Sequence, residues 1–560
     1  MGNDSEDKKV TKKLKTKNSN FAMQAAILAG AGILSRIIGL LYRSPLYQII
    51  GDEGNGYYGT AYAIYSIILL ISTYSIPTAV SKMISARMAL GEYKNARRIF
   101  KCTFVYVIVI GGIAALITYV FAPYLVSEQP NAVLSLRILA PTIFLSGFLA
   151  IFRGYLQAYR TMTPTSVSQI VEQIANAVVS VAAAYMFSRS FAAGTSEHAK
   201  YGAAGSALGT GAGVVCGIIV IFIAYSSRRK DINEMTNEDV SGHLWSYGKI
   251  YKHIIMIVTP IVVAAVVYNI TTTLDMKVFY NILDNKNVDS VEAANLYGIF
   301  SGQYTVLINL PVAIASAIGT TLIPNISRAF TKGDKIGTDH VYNEALSITT
   351  LVTIPCAVGM GVLSKPIINL LFSGASESAY IALSVGCISV VFYSLSTLTT
   401  SILQGVGKVM APVVNSALAL IIHLVFLALL LRFTDLNLYA LVLATIVYSL
   451  IVCILNHISV KKNLDTKINT KRVYAAPVMA SVLMGIVAWG SYQIFYRLIS
   501  LFLSRYAIIN AISVVIAIVL AVIFYAAALL SFGKYTREEI RALPMGNVIL
   551  KFAVKLHLVK

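Results

Sequence analysis

Residues 57–81 read "YYGTAYAIYSIILLISTYSIPTAVS", an uncharged run between Glu53 and Lys82. A bilayer core about 30 Å thick takes about 20 helical residues, so this run is long enough to span as a helix. Runs of the same kind recur along the chain. Expected spans lie at 22–42, 57–81, 102–125, 136–158, 165–188, 201–226, 254–279, 296–323, 345–371, 380–405, 412–433, 437–458, 474–496 and 507–532. The period-two alternation of a closed β-barrel is absent, which leaves the helical solution for a spanning chain.

Composition agrees. Of 560 residues 57% are hydrophobic and 12% charged, with a mean hydropathy of +0.72. A soluble chain carries about 25% charged residues. The net charge of +20 reads as basic loops on the cytoplasmic side of a membrane protein. An even number of spans puts both termini on one side. Most Lys and Arg fall on the side of the termini, which predicts N-in and C-in in a cell membrane. The five cysteines all lie in expected spans without metal-ligand spacing, so they read as small apolar residues. No loop is long enough for a soluble catalytic domain, so no enzyme is expected. The GxGxxG match "GNGYYG" (54–59) follows a membrane helix, not a strand, and carries no dinucleotide site.

The opening run also returns. "YGTAYAI" at Tyr58 recurs as "YGIFSGQ" at Tyr297, a shift of 239. Arg87 matches Arg328, Pro123 matches Pro366, Leu156 matches Leu403 and Leu208 matches Leu443, in order and at similar shifts. Such a repeat signals a duplicated architecture. The expected fold is an all-α polytopic membrane protein of fourteen spans, with two pseudo-twofold-related six-helix lobes and two extra C-terminal helices. The expected divisions are a basic tail 1–20, an N-lobe 21–226, a linker 227–253, a C-lobe 254–460, an added helix pair 474–532 and a basic amphipathic tail 533–560. Two even-numbered lobes share an orientation and commonly enclose a central substrate site.

Charges inside such spans mark function or ion pairs, because an arginine at mid-bilayer costs at least ~2.5 kcal/mol. "ILSRIIGLLYRSPL" (33–46) carries two, Arg36 and Arg43, with Ser35 beside the first. Seven residues are about two turns, so both point one way, about 10 Å apart. Arg36 is deep; Arg43, beside Pro45, stands near the outer end, as a ligand or as an anchor. A guanidinium offers a charged planar fork suited to pyrophosphate. The 239 shift carries Arg36 onto Asp275, which is either its partner in the empty state or a rim carboxylate. Glu172 and Arg153 are expected at similar depth across a hairpin, as a structural ion pair or a coupling-ion site. His423 reads as a packed polar residue. Pro77, Pro311 and Pro324 mark positions where helices 2 and 8 break, candidates for gating.

"AIASAIGTTLIPNISRAF" (313–330) and "SRIIGLLYR" (35–43) resemble the signatures of MurJ-type lipid II flippases. "GDEGNGYYGTAYAIYSI" (51–67) and "LQAYRTMTP" (156–164) resemble the polysaccharide-exporter and stage V sporulation B branch of the same superfamily, which also holds the MATE antiporters. The resemblance implies an undecaprenyl-pyrophosphate-linked saccharide, lipid II first, moved from inner to outer leaflet, with the last two helices forming a groove for the polyprenyl tail. The candidate substrate residues are Ser35, Arg36, Arg43 and Asp275. The family's further cavity arginines on helices 2 and 8 have no counterpart in "FSGQYTVLINLP" (300–311) or beside Lys82, so more of the anion binding falls on helix 1. The essential acid after helix 1 has three candidates, Asp52, Glu53 and Asn55. The alternatives are a flippase for another lipid-linked polysaccharide unit and a MATE-like drug or cation antiporter. A cation carrier would place carboxylates deepest; here the deepest charge is Arg36. No ATP-binding motif is seen and no cofactor is expected beyond a coupling ion. The expected partners are the lipid-linked substrate and anionic inner-leaflet lipids, without nucleic acid, for a protein working as a monomer.

Overall fold

In the computed structural model the chain is described over residues 27–533, apart from 29, 75, 160, 240–243 and 465–467. The expected basic tail 1–20 and all but the first residue of the amphipathic tail 533–560 lie outside the described residues. The described secondary structure is helical throughout. Among the described residues twelve helices are long and apolar enough to cross a membrane, or thirteen with one bent pair taken as a single span. The expected count of fourteen is therefore not reached. Its first span is represented only by the shorter apolar helix α1 (Gly30–Leu41), whose expected start lies outside the described residues.

The first unit comprises the described residues to Lys277 with Ser290–Ala294. It contains α1, α2 (Arg43–Leu69), α3 (Ile76–Ala89), α4 (Tyr93–Val120), α5 (Ala122–Leu125), α6 (Val133–Ala158), α7 (Thr163–Ser188), α8 (Ser196–Ser227), α9 (Arg229–Asn237) and most of α10 (Tyr247–Asn285). α2 is two helices joined at Gly51, where φ is 64° and ψ −169°. A side chain there would be strained, so glycine is required. Helix 1 thus runs on past Arg43 to Ile50. Asn55 Nδ2 donates to the Gly51 carbonyl at 2.7 Å, replacing a bond that the bend removes. The other two acids of this corner take tyrosines: Tyr47 donates to Asp52 and Tyr57 to Glu53. Sequence reading ended helix 1 at 42 because Arg43, Ser44 and Pro45 interrupt the apolar run there.

α8 lies along α7 through glycines four apart: Gly205, Gly209, Gly213 and Gly217. A Cβ on Gly213 would stand 2.6 Å from the Glu172 carbonyl, and one on Gly209 would overlap Ser180. Small residues at this spacing let two membrane helices approach backbone to backbone. Helix 2 breaks as a π-turn, Leu70–Tyr74, just before Pro77. Proline removes a donor and crowds the carbonyl four residues back, here that of Thr73. Ser72 and Thr73 hydroxyls donate to the carbonyls of Ile68 and Leu69 in the same turn.

The linker is clamped to this unit. Lys94 N donates to Asp239 Oδ2 at 2.6 Å, Trp245 N to Asn95 Oδ1 at 2.9 Å, and Arg98 to the Trp245 carbonyl at 2.7 Å. Arg87 and Lys249 each lie on the Trp245 ring, at 4.4 and 4.5 Å, a paired cation–π contact.

The second unit comprises Val278–Asp289 and the described residues from Asn295. It holds the end of α10, then α11 (Ser290–Gly298, shared with the first unit), α12 (Thr305–Thr331), α13 (Lys335–Val362), α14 (Ser364–Leu371), α15 (Glu377–Gly386), α16 (Ser389–Gly405), α17 (Met410–Phe433), α18 (Leu438–Leu464), α19 (Ala476–Ser500) and α20 (Tyr506–Gly533). α15 and α16 meet at 47° as the bent span. The duplication shows element by element: α4 and α13 each have 28 residues, each is followed by a short helix, and each is preceded by a left-handed glycine, Gly91 (φ 76°) or Gly333 (φ 70°). α12 also follows a π-turn, Ile299–Tyr304, and then runs through Pro311 and Pro324 without interruption. The break in this helix precedes its prolines instead of coinciding with them.

His423 is fully buried, its Nδ1 2.8 Å from the Ala444 carbonyl, as the packed reading expects. α20 is tied to α13 and α14 by Tyr525 to the Leu351 carbonyl at 3.0 Å and Asn510 to the Pro366 carbonyl at 3.0 Å. Val358, Val362, Val482, Gly485, Ile486 and Trp489 line an apolar groove between α13 and α19.

The glycine contact makes a direct prediction. Gly209→Leu overpacks the α7–α8 seam and costs about 1–3 kcal/mol, read as a lower melting temperature in detergent. Gly30→Leu, with nothing within 4 Å of the added Cβ, leaves the melting temperature unchanged.

Candidate functional site

The polar residues of the first unit collect where α1 meets α7. The Ser35 hydroxyl donates to the Gln169 carbonyl at 3.5 Å, one turn before Glu172 and Gln173. A Cβ on Gly39 would stand 3.3 Å from Gln173 Nε2. The face of α1 that carries Ser35 and Gly39 therefore rests on the polar stripe of α7. Arg36 is exposed, in a segment where an unsolvated charge is costly.

Arg43 is half-buried and opens α2, where helix 1 continues past the turn at Tyr42. Its guanidinium lies 5.4 Å from the Tyr58 ring centre and 5.9 Å from that of Tyr42. The Tyr58 hydroxyl shares a 3.2 Å hydrogen bond with Thr210 Oγ1. Tyr58 stacks on Tyr62 at 5.6 Å, and Tyr62 meets Tyr65 at 5.5 Å. An aromatic face attracts a cation without neutralising it. These tyrosines escaped sequence reading, although their spacing of four and then three residues puts them on one helical face.

Glu172 and Arg153 do meet. Arg153 Nη2 is 2.7 Å from Glu172 Oε2, and its Nε donates to Ser168 Oγ at 2.9 Å. Both side chains are largely covered, at 14% and 29% exposure. The one carboxylate on α7 is thus matched by its own arginine. Nearby, the Ser180 hydroxyl lies 2.9 Å from Asn176 Oδ1 and 3.0 Å from the Ser206 carbonyl.

Asp275 is buried, at 4% exposure. Beside it Thr273 donates to the Ala63 carbonyl at 3.0 Å, and Lys277 pairs with Glu128 at 2.9 Å. Gln129, fully buried, exchanges two hydrogen bonds with Ser290: its Nε2 donates to the Ser290 carbonyl at 3.0 Å and accepts from Ser290 Oγ on Oε1 at 3.1 Å. These bonds are why Lys277 and Ser290–Ala294 group with the first unit although the repeat places them in the second. His198 holds the end of helix 1, with Nε2 2.9 Å from the Ile49 carbonyl and Nδ1 3.1 Å from that of Ser188. Nothing in the local sequence marks Glu128, Gln129 or His198, because their partners are about 150 residues away. Pro77 packs against α6 where Gly154 leaves room for it. Pro311 is buried in α12, and Pro324 lies farther along the same helix.

Comparison with known proteins bears on this arrangement. The family model described as "Polysaccharide biosynthesis protein" matches residues 21–330, and the MatE model matches residues 260–429. The chain is 26% identical over 426 residues to the lipid II flippase MurJ of Bacillus subtilis, covering 72% of this chain and 77% of that one. It is 21% identical to stage V sporulation protein B of the same organism, covering 95% and 99%. Among solved structures, lipid II flippase MurJ in an inward closed conformation superposes with a TM-score of 0.62 at 16% identity, covering 90% of this chain and 98% of that one.

The Arg153–Glu172 pair is open to a double-mutant cycle. Removing one partner of a fully buried pair costs 3–5 kcal/mol. With Glu172 partly exposed, Arg153→Met is expected to cost about 1–2 kcal/mol of thermal stability, and Arg153→Met with Glu172→Gln to recover most of it. Additive losses would show that the pair contributes nothing.

Proposed function

We propose that this chain, which belongs to the polysaccharide biosynthesis protein family and with it to the MOP superfamily of flippases and transporters, moves an undecaprenyl-pyrophosphate-linked cell-wall precursor, lipid II, from the inner to the outer leaflet by alternating access. The observation that carries the reading is the charge balance of the site. Glu172 is neutralised by Arg153, whereas Arg43 is held by tyrosine faces. Arg43 therefore brings positive charge to the neighbourhood of α1 and α7, which suits an anion. The relation to the B. subtilis flippase over 72% of the chain supports the substrate class.

In this reading Arg36 takes the pyrophosphate first, through the bidentate geometry of guanidinium with phosphate. Arg43 is the next station along helix 1, and Ser35 contributes a hydroxyl. Asp275 exchanges with the substrate for the arginines, and Arg153–Glu172 sets the lobe's structure. The polyprenyl tail runs in the groove of Val358, Val482, Ile486 and Trp489, whose apolar walls offer a prenyl chain what the bilayer does. The π-turn before Pro77 is the point at which helix 2 bends during the cycle. A flippase for another lipid-linked saccharide is the second reading, favoured by the match to the stage V sporulation protein B over 95% of the chain.

Complementation separates the readings. In a strain depleted of its lipid II flippase, this chain restores growth, Arg36→Ala abolishes rescue, and Arg43→Ala weakens it. Growth failure with wild-type protein present in the membrane would turn the assignment to another lipid-linked saccharide. For Asp275, the exchange role predicts that Asp275→Ala lowers flipping several-fold and that Arg36→Asp with Asp275→Arg restores part of it. Full activity of Asp275→Ala removes Asp275 from the mechanism.

A further inference from the structure

Tyr62 is out of place by burial. Its neighbours on α2 are sealed: Tyr58 at 3% exposure, Ala61 at 0%, Ala63 at 2%, Ile64 at 3% and Tyr65 at 2%. Tyr62 itself is 42% exposed. It does not point away from the site. Its ring stacks on Tyr58 at 5.6 Å and an interplanar angle of 25°, and the Arg43 guanidinium lies 5.4 Å from the Tyr58 ring. Tyr62 is also close enough to Arg43 and Glu172 to interact with both electrostatically. Guanidinium, buried ring and open ring therefore follow one another, and the open ring borders the arginine–carboxylate neighbourhood of α1 and α7.

We propose that Tyr62 is a saccharide platform: its open face takes the C–H face of a sugar ring of the substrate while Arg43 holds the phosphate to which that sugar is attached. The proposal rests on the reading of the ligand as a pyrophosphate-linked saccharide and names the subsite for its sugar. A pyranose shows axial C–H bonds on its faces and hydroxyls at its rim. The π-face of tyrosine is electron-rich and attracts the polarised C–H groups, while the rim hydroxyls stay free for hydrogen bonds. Spacing fits as well. In such a lipid the first sugar is bonded directly to the pyrophosphate, so its binding surface must lie within about one ring's width of the phosphate ligand. Arg43 and Tyr62 are separated by the single ring of Tyr58. Tyr58 is anchored to Thr210, which fixes the orientation of the stack.

The test compares two lipids on purified full-length protein by native mass spectrometry titration: undecaprenyl pyrophosphate, and the same lipid carrying its saccharide. Wild-type protein is expected to bind the saccharide-bearing lipid more tightly. Tyr62→Ala and Tyr62→Leu each weaken that binding by about five- to tenfold, the range of an aromatic contact, with binding of undecaprenyl pyrophosphate unchanged. Tyr62→Phe, which keeps the face, retains the preference. Arg43→Ala weakens both lipids. Equal loss for both lipids in Tyr62→Leu, or no loss for either, overturns the platform while leaving the flippase reading in place. Wild-type protein that binds neither lipid overturns the flippase reading, and the platform with it.

Discussion

The contact on which the rest depends is the backbone-to-backbone approach of α8 to α7. Four glycines at one spacing remove the side chains that would hold these helices apart. Without a hydrophobic effect between helices in lipid, such close packing is a main source of association. The approach also sets position. Gly213 and Gly217 lie against Glu172, so the seam fixes the depth of that carboxylate and of Gln169 and Gln173 beside it. Helix 1 then packs on the stripe so placed, through Ser35 and Gly39. A shift of one turn along the seam would move Glu172 away from Arg153 and leave a charge unpaired in a covered site.

Charge follows from that placement. One carboxylate and one arginine of the first unit cancel at 2.7 Å. Arg43 is balanced in a different way, by aromatic faces. The two solutions have different consequences. A carboxylate occupies the donor fork of a guanidinium, whereas a ring beneath its plane leaves the N–H groups at the edge available. The side chain is thus made tolerable in an apolar helix, and the proposed anion role draws on the same fork. A lysine suits it less well, because its donors point in three directions from a strongly hydrated centre.

Much of this was legible in the sequence. Long uncharged runs give the helical membrane class, and the repeat beginning at Tyr58 and Tyr297 foretells matching elements down to the paired left-handed glycines at 91 and 333. The Arg153–Glu172 pair follows from folding one hairpin. What was missed has physical causes. Helix 1 runs on to the bend at Gly51 although its apolar run is interrupted at Arg43, Ser44 and Pro45, so Arg43 was read as standing near the outer end of the span. The glycine seam was overlooked because it carries no charge, although its four-residue period is plain in "GAAGSALGTGAGVVCG" (202–217). The bonds of Gln129 to Ser290 and of His198 to Ile49 join residues about 150 positions apart, and no local pattern announces such partners.

The tyrosines show most clearly why a sequence underdetermines a site. Tyr57, Tyr58, Tyr62 and Tyr65 are the same residue in the same helix, and composition treats them alike. Their environments differ: Tyr57 serves Glu53 and Asn131, Tyr58 carries Arg43, Tyr65 is sealed, and Tyr62 is open. Phase separates only Tyr57 from the others: successive helical positions turn by about 100°, so Tyr57 lies off the face that Tyr58, Tyr62 and Tyr65 share, and along that face burial still differs from turn to turn. A tyrosine has an apolar body and a polar tip, and each of these positions uses a different part of it. A phenylalanine at 58 would keep the ring beneath Arg43 but lose the hydroxyl that Thr210 holds. The ring would then be free to tilt, and the guanidinium over it would lose a fixed neighbour.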